Sequence, residues 1–297
     1  MSIAEELRAA CPALRPQEPL SKHTSLAIGG PADYYAEVGS LQELILLRQL
    51  AAYYRLPVFF IGAGSNLLVA DKGIRGLVIH LQGEFKRLSF DGLRVSAGAG
   101  AMMPTLAQQA GQRGLSGVES LIGVPGTIGG GLVMNAGTRE GWLGDVVTFV
   151  YVLGESGKEE KLTSESFGFS YRHSNLEGRW VTRAELTLKT DDTASIIKRI
   201  ETLLQYRSKT QPLTTANCGS VFKNPSEGPA AQWIEKAGFK NTAVGGARVS
   251  DRHANFIINE KNATAQNVRD LMKRIQTEVA DKFHVTLEPE VKLVGDW

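Results

Sequence analysis

The segment "FIGAGSNLLV", residues 60–69, decides how the first part of this sequence is interpreted. It begins as an apolar run typical of a β-strand and continues into Gly62-Ala63-Gly64. A Rossmann dinucleotide fold needs the pattern G-x-G-x-x-G between a strand and the helix that it opens. Leu67 stands where the third glycine should be, and the following "LLVADKG" predicts no helix. The segment is therefore either a tight turn between strands or a different kind of nucleotide-cofactor loop.

A second glycine-rich stretch, "ESLIGVPGTIGGGLVMNAG" at residues 119–137, favours a phosphate-binding role. Its glycines are Gly123, Gly126, Gly129, Gly130, Gly131 and Gly137. The stretch is too long for one turn, and glycine leaves backbone N–H groups accessible to an anion. Glycine-rich turns that let two sheets pack closely are the alternative explanation. Two glycine loops flanked by Ser65, Asn66, Thr127 and Asn135 suit a long diphosphate ligand better.

Secondary-structure signals around these stretches predict a mixed α+β chain. Ser40 and Glu43 form a capping box that opens a helix, and this helix must end before Pro57. Helical and alternating apolar patterns predict the other elements. The further expected helices are 104–114, 193–206, 230–237 and a long helix through 268–283, and the expected strands are 58–61, 76–81, 146–154, 180–189, 255–259 and 285–295.

Two of these elements carry further expectations. The helix 193–206 has a set of apolar residues that we expect to close a domain: Ile196, Ile197, Ile200, Leu203 and Leu204. The strand 285–295 alternates polar and apolar residues, and we expect it to return to an earlier sheet, because a lone terminal strand has no partner.

Composition excludes several functional classes. The 297 residues, 42% of them hydrophobic, suffice for more than one packed domain. With 33 basic and 31 acidic residues well mixed along the chain, we expect neither nucleic-acid nor membrane binding. Cys11 and Cys218 lie far apart, so we expect reduced thiols and no metal site. The N-terminal segment does not resemble a signal peptide, and a cytoplasmic location is expected.

Seven segments that occur in order resemble one family, the UDP-N-acetylenolpyruvoylglucosamine reductases of bacterial peptidoglycan precursor synthesis. They are "TSLAIGGPADYY", "FIGAGSNLLVAD", "GVPGTIGGGLVMNAG", "FGFSYRHS", "CGSVFKNP", "AGFKNTAVGGARVSDRHANFIIN" and "LEPEVKLVG". The resemblance implies an α+β flavoenzyme with a vanillyl-alcohol-oxidase (PCMH)-type FAD-binding fold and a C-terminal α/β substrate domain.

The resemblance also implies a division of the chain. Residues 1–80 would form a small α/β FAD-binding subdomain and residues 81–208 a larger α+β one. Residues 209–284 would bind the substrate, and residues 285–297 would return to the FAD-binding part. The short spacing between Arg172 and Ser220 leaves little room for a substrate-capping insertion with its tyrosine, so the compact subclass is expected.

The implied reaction is the reduction of UDP-N-acetylglucosamine enolpyruvate to UDP-N-acetylmuramate by NADPH through FAD, in a monomer. A hydride would go to the methylene carbon and a proton to the carbon that bears the ether oxygen, with negative charge developing on the carboxylate. The resemblance makes Arg172 and Glu290 the pair that stabilises this charge and Ser220 the proton donor. From the residues alone, a solvated arginine, a turn serine and solvated glutamates remain the alternatives.

Ligand contacts follow from the same resemblance. The residues expected along FAD are Gly62, Ala63, Gly64, Ser65, Asn66, Leu67, Gly98, Gly123, Pro125, Gly126, Thr127, Gly129, Gly130, Asn135, Ala136 and Gly137. Those expected near the UDP-sugar are Lys223, Asn224, His253, Asn255 and Lys209. The family often has a lysine where this chain has Thr210, with Lys209 one residue earlier, so the diphosphate contact departs from the family pattern.

Two other functions are compatible with parts of the sequence. Another FAD-dependent sugar or alcohol oxidase of the same fold would explain the glycine loops but not "CGSVFKNP" or "LEPEVKLVG". A catalytically silent nucleotide-sugar binding protein would keep the fold but would not need Arg172, Ser220 and Glu290 together.

Overall fold

A computed structural model describes residues 2–297, which fold into two compact units. Unit 1 comprises the described residues up to Pro16 together with Tyr34–Ala63 and Gly76–Tyr206. Unit 2 comprises Gln17–Asp33, Gly64–Arg75 and Arg207–Trp297. Each unit is thus built from three separate segments, and the four contiguous ranges expected from the sequence stay predictions.

The described chain has eight α-helices, five of which were predicted from capping signals and helical periodicity. They are α1 (Ile3–Ala10), α2 (Leu41–Tyr54), α3 (Met103–Gly111), α4 (Ile128–Val133), α5 (Ser164–Phe167), α6 (Thr193–Thr210), α7 (Ala230–Lys236) and α8 (Ala265–Phe283). The capping box at the start of α2 forms as expected, with Ser40 Oγ accepting from the Glu43 N–H. No described helix is long and apolar enough to cross a membrane.

The strands are short and numerous. In chain order they are β1 (Leu14–Pro19), β2 (Pro31–Val38), β3 (Val58–Phe60), β4 (Leu67–Val69), β5 (Ile74–Leu81), β6 (Leu88–Asp91), β7 (Arg94–Gly98), β8 (Leu115–Ser116), β9 (Gly137–Thr138), β10 (Gly141–Trp142), β11 (Val147–Leu153), β12 (Glu159–Leu162), β13 (Val181–Thr187), β14 (Lys189–Thr190), β15 (Ala243–Val244), β16 (Ala247–Val249), β17 (Ile257–Asn259) and β18 (Lys292–Val294).

The core of unit 1 is built on a five-stranded antiparallel sheet of order β12-β11-β13-β7-β6. A second sheet has the order β1-β2-β5-β3, with β3 and β5 parallel. Helices α3 and α4 contribute fully buried side chains such as Leu106 and Leu132 to the same hydrophobic cluster. Burying each such side chain stabilises the fold by about 1.5–3 kcal/mol.

The core of unit 2 combines the sheet β15-β16-β17 with one face of α8. Val268, Leu271, Met272, Ile275 and Val279, which recur on that face at helical spacing, are buried, whereas Phe283 at the end of the helix is half-buried. The last strand, β18, pairs in parallel with β4, with Lys292 opposite Leu67 and Val294 opposite Val69. This pairing joins parts of the chain more than 200 residues apart.

Two expectations about these elements were wrong. The terminal strand covers Lys292–Val294 rather than 285–295, because Pro289 has no N–H for a ladder and makes only an isolated bridge with Phe222. Helix α6 continues to Thr210, and of its apolar residues only Ile196 is buried. Ile197 and Leu204, seven residues apart on one face, are exposed.

Candidate active site

The structure brings the two glycine-rich stretches into contact inside unit 1. A Cβ atom at Gly62 would lie 2.5 Å from Oγ1 of Thr127, which is closer than side chains can approach. Glycine is therefore required at position 62 by the neighbouring stretch. Sequence patterns predicted each stretch separately but gave no signal for this contact.

The continuation of the first loop, Gly64–Asn66, belongs to unit 2. Gly64 has a left-handed φ of 62°, and a Cβ there would collide with the carbonyl oxygen of His23. Asn66 Nδ2 donates to the Glu290 carbonyl oxygen at 3.0 Å, and the Lys292 N–H donates to the Asn66 carbonyl oxygen at 3.0 Å. Asn66 is thereby fixed against the segment that carries Glu290.

The backbone N–H groups of residues 62–66 have no acceptor within the part of the chain that the structure describes. A run of N–H groups around a left-handed residue is an arrangement that binds anions. None of these five residues is exposed to the degree of a surface loop tip, and Gly64 is buried. The first loop therefore has the donors that a diphosphate needs.

The second stretch differs from expectation, because three of its glycines, Gly129–Gly131, lie in α4 with satisfied N–H groups. Thr127 caps α4, its Oγ1 accepting from the Gly130 N–H and its carbonyl from the Gly131 N–H. The Gly129 N–H donates to the Ala99 carbonyl at 2.8 Å. A Cβ at Gly131 would lie 2.6 Å from Met103 Sδ. The expectation of free N–H groups at Gly129–Gly131 was wrong, because these glycines permit close packing instead.

The other residues expected along FAD differ in how accessible they are to a ligand. Gly123, Pro125, Gly129 and Gly130 are at least partly accessible, whereas Gly126, Ala136 and Gly137 are buried. Gly98 is required by packing, since a Cβ there would collide with the Phe85 carbonyl. Leu67 begins β4, and Ala63 and Ser65 are half-buried. Contact of any of these residues with FAD stays a prediction.

Asn135 has a structural role that the sequence did not reveal. It is buried, with a left-handed φ of 41°. Its Nδ2 donates to the Ser170 carbonyl at 3.1 Å, and its Oδ1 accepts from the Gly144 N–H at 3.0 Å. The side-chain amide thus ties the turn before Arg172 to the segment after Trp142, so its geometry favours positioning over FAD contact.

Arg172 lies in a tight turn of unit 1 with a left-handed φ of 54°. Its Nη1 donates to the Gly137 carbonyl oxygen at 3.0 Å. Its guanidinium carbon lies 5.1 Å from the ring centre of Trp142 and 5.5 Å from that of Tyr171. A non-glycine residue in this backbone region is uncommon and is typical of functional sites. Sequence analysis missed both aromatic neighbours.

Ser220 and Glu290 are brought close together in unit 2. The Glu290 N–H donates to the carbonyl oxygen of Val221, the residue after Ser220, at 2.8 Å. Ser220 is half-buried, and its hydroxyl makes no hydrogen bond to any described residue. Gly219, with a left-handed φ of 76°, allows the chain to turn just before it. The serine hydroxyl is therefore available to a ligand.

Cys218, two residues before Ser220, is a packing residue of the unit 2 core. Its side chain is 1% exposed, and burial raises the pKa of its thiol to about 12. The protonated thiol is not nucleophilic at neutral pH.

Three of the residues expected near the substrate have protein partners. Asn255 is buried, and its amide both accepts from the Phe222 N–H and donates to the Phe222 carbonyl, at 3.0 and 2.8 Å. Asn224 Oδ1 accepts from the Ala230 N–H and caps α7. Lys223 Nζ pairs with Glu288 at 3.3 Å. These contacts favour support of the Ser220 segment over direct substrate contact for Asn255.

The remaining two residues expected near the substrate, His253 and Lys209, differ in burial. Burial lowers the pKa of His253, so its imidazole is neutral at pH 7, and the ring packs edge-on against Phe256 at 4.7 Å. Lys209 is exposed in the last turn of α6. Contact of either residue with the substrate stays a prediction. Within the described residues no cluster of His, Cys, Asp and Glu could hold a metal ion.

Comparisons with known proteins give the same family over nearly the whole chain. A model described as "FAD binding domain" matches residues 32–163, and one described as "UDP-N-acetylenolpyruvoylglucosamine reductase, C-terminal domain" matches residues 211–294. UDP-N-acetylenolpyruvoylglucosamine reductase 2 of Symbiobacterium thermophilum is 46% identical, with 95% of this chain and 92% of that protein covered. The Bacillus subtilis reductase is 37% identical, with 94% and 93% covered.

A solved structure agrees with the family assignment from these sequence matches. The crystal structure of UDP-N-acetylenolpyruvylglucosamine reductase from Thermus caldophilus superposes with a TM-score of 0.82 at 36% identity, covering 94% of this chain and 99% of that one. These matches confirm the expected fold class, an FAD-binding region followed by the C-terminal domain of this family.

The residues present fit FAD as the cofactor. The free N–H groups of residues 62–66 suit its diphosphate, and larger residues at 62 and 64 would collide with Thr127 and with the His23 carbonyl oxygen, so glycine keeps the loop in this conformation. The matched FAD-binding domain contains Gly62 and Gly64. With identities of 37–46% to such enzymes over almost its full length, the chain belongs to the UDP-N-acetylenolpyruvoylglucosamine reductases, FAD-binding oxidoreductases of peptidoglycan precursor synthesis.

Proposed function

We propose that this protein reduces UDP-N-acetylglucosamine enolpyruvate to UDP-N-acetylmuramate with NADPH as reductant, and that Arg172, Ser220 and Glu290 carry the reaction. The observation that carries the proposal is the pairing of the Ser220 and Glu290 segments, with the Glu290 N–H 2.8 Å from the Val221 carbonyl. The two segments are 70 positions apart in sequence, and this backbone pairing places them side by side within unit 2.

FAD, when bound, supplies the hydride to the methylene carbon of the enolpyruvyl group. Arg172 is assigned to the substrate carboxylate, because a planar guanidinium can hold it with two parallel hydrogen bonds and stays charged. Negative charge that develops on this carboxylate is thereby stabilised in the transition state more than in the ground state.

Ser220 is assigned as proton donor to the carbon that bears the ether oxygen. Its hydroxyl has no acceptor among the described residues, which supports a free proton for a ligand. A hydroxyl is a weak acid, so the assignment requires a strongly basic carbon. Glu290, held by the Asn66 amide and the Val221 carbonyl, is assigned to stabilise the intermediate together with Arg172.

An anaerobic two-step experiment tests the proposed function. NADPH should bleach the flavin absorbance of the purified protein, and UDP-N-acetylglucosamine enolpyruvate should restore it with formation of one UDP-N-acetylmuramate per flavin. Recovery only after oxygen is admitted would instead identify an oxidase. Absence of both steps would identify a silent binding protein.

Two serine variants, one at Ser220 and one at a control position, test the assignment of Ser220 as proton donor. Ser220→Ala should slow the reoxidation by the enolpyruvyl substrate about 100-fold or more, the usual effect of losing a positioned proton donor. Reduction by NADPH should stay unchanged. Ser226→Ala, an exposed serine of the same unit, is the matched control and should leave both steps unchanged. Full turnover of Ser220→Ala would make the assignment wrong.

A further inference from the structure

We propose that Trp142 fixes the orientation of the Arg172 guanidinium and is thereby a positioning residue for the reduction. The inference rests on the proposed function of Arg172 and concerns how this chain aims that side chain. All of the residues involved belong to unit 1.

The backbone around Arg172 leaves the direction of its side chain to be set by neighbours. Ser170 and His173 exchange two backbone hydrogen bonds, at 3.1 and 3.2 Å, and close a turn around Tyr171 and Arg172. Tyr171 is 44% exposed and Arg172 is half-buried. A long side chain at the tip of such a turn has many rotamers, so a defined orientation needs contacts from another segment.

The hairpin of β9 and β10 supplies these contacts to the Arg172 guanidinium. Gly137 in β9 pairs with Trp142 in β10. The Gly137 carbonyl accepts from Arg172 Nη1 at 3.0 Å, and the Trp142 ring centre lies 5.1 Å from the Arg172 guanidinium carbon. A cation within about 6 Å of a tryptophan ring is attracted by its π face, and tryptophan is the strongest aromatic partner. Two directly paired residues thus hold one guanidinium.

The tryptophan itself is fixed on both sides. Its backbone N–H donates to Asp145 Oδ2 at 2.8 Å. Its ring stands edge-on to Tyr171, with ring centres 5.7 Å apart and an interplanar angle of 89°. Tyr171 moves with the turn of Arg172, whereas Trp142 belongs to a separate hairpin. Trp142 is therefore a residue outside the turn that can define the guanidinium direction relative to the rest of unit 1.

The orientation matters because a guanidinium holds a carboxylate with two bonds only when its fork faces the carboxylate plane. A rotated guanidinium keeps its charge but loses this geometry. Loss of Trp142 should therefore slow the step in which charge develops on the substrate carboxylate. It should not affect reduction of the flavin by NADPH, which does not involve that carboxylate.

The test uses the FAD-loaded protein and measures the two half-reactions separately. Trp142→Leu should retain FAD and its rate of reduction by NADPH, while reoxidation by UDP-N-acetylglucosamine enolpyruvate slows about tenfold, as expected for the loss of one half-buried cation–π contact. Trp142→Phe should recover part of the rate. Trp180→Leu removes a tryptophan that lies 5.0 Å from the Arg48 guanidinium, and it is the matched control with unchanged reoxidation.

A graded series separates the π interaction from simple packing. Site-specific replacement of Trp142 by tryptophan analogues with increasing fluorination weakens the π face and preserves the shape, so the reoxidation rate should fall stepwise. A constant rate across this series, or an unchanged rate in Trp142→Leu, would overturn the inference. Failure of the unaltered protein to be reoxidised by the substrate would overturn the proposed function instead, so the two failures are distinguishable.

Discussion

The two glycine-rich stretches have similar composition but differ in whether their backbone N–H groups are satisfied. Residues 62–66 leave their backbone N–H groups without an acceptor among the described residues, whereas the N–H groups of Gly129–Gly131 are satisfied by Ala99 and Thr127. Both stretches also use glycine for close packing, Gly62 against Thr127 and Gly131 against Met103. Glycine content alone therefore does not identify an anion site.

The largest effect expected from this difference is at Gly64. Gly64→Ala should destabilise the protein by about 2–4 kcal/mol, because it adds a left-handed alanine and a collision with the His23 carbonyl. Purified variant should also contain less FAD. Urea unfolding and the ratio of flavin to protein absorbance measure the two effects. Wild-type stability with full FAD content would show that the loop geometry is not required.

Two substitutions in α4, Gly131→Ala and Gly130→Ala, test the packing role of the second stretch. Their effects on the free energy of unfolding should be of intermediate size. Gly131→Ala should cost about 1–3 kcal/mol, because its methyl group would meet Met103 and Leu143. Gly130→Ala is the matched control, since its Cβ would make only an ordinary contact 3.5 Å from Thr127 Oγ1. It should be neutral or stabilise by up to about 1 kcal/mol. Equal unfolding free energies for the two variants would contradict the packing role.

The smallest effect concerns Glu119, the first residue of the second glycine-rich stretch, which pairs with Arg199. Burial tends to raise the pKa of Glu119, but hydrogen bonds from Arg199, from the Gly117 and Glu119 N–H groups and from Ser116 outweigh it and lower the pKa. A lowered folded-state pKa contributes stability above the unfolded value of about 4.3, and this stability is lost as the pH falls through the folded value.

Arg199→Met should therefore reduce the free energy of unfolding by about 1 kcal/mol at pH 7. The difference from wild type should shrink as the pH falls below the unfolded pKa of about 4.3 and through the lower folded pKa, where Glu119 becomes protonated. Urea unfolding at a series of pH values measures it. A difference that grows on acidification would mean that the ion pair does not lower the pKa of Glu119.

Local patterns predicted much of the fold. The capping box of α2, the buried face of α8 and the turn after β3 all follow from short-range signals, and the family motifs gave the fold class. Helix α4 was missed because three consecutive glycines have low helix propensity, and tertiary contacts with Ala99 and Met103 override it.

Less of the candidate site than of the fold could be predicted from the sequence. Motif resemblance identified Arg172, Ser220 and Glu290 as candidates, but the pairing of Val221 with Glu290 depends on chain paths that no local pattern encodes. The same limit applies to Asn135 and Trp142. Their contacts with the Arg172 turn arise from segments about 30 residues away in sequence.

The parallel pairing of β4 with β18 has a consequence for biosynthesis. Leu67–Val69 leaves the ribosome long before Lys292–Val294 has been synthesised, so β4 must wait for its partner while the intervening chain is made. Closing so large a loop is slow, and an unpaired apolar strand can pair wrongly in the meantime. Unit 2 should therefore acquire its native form only after residues 292–294 have been synthesised, and nascent chains stalled before residue 292 should depend on chaperones.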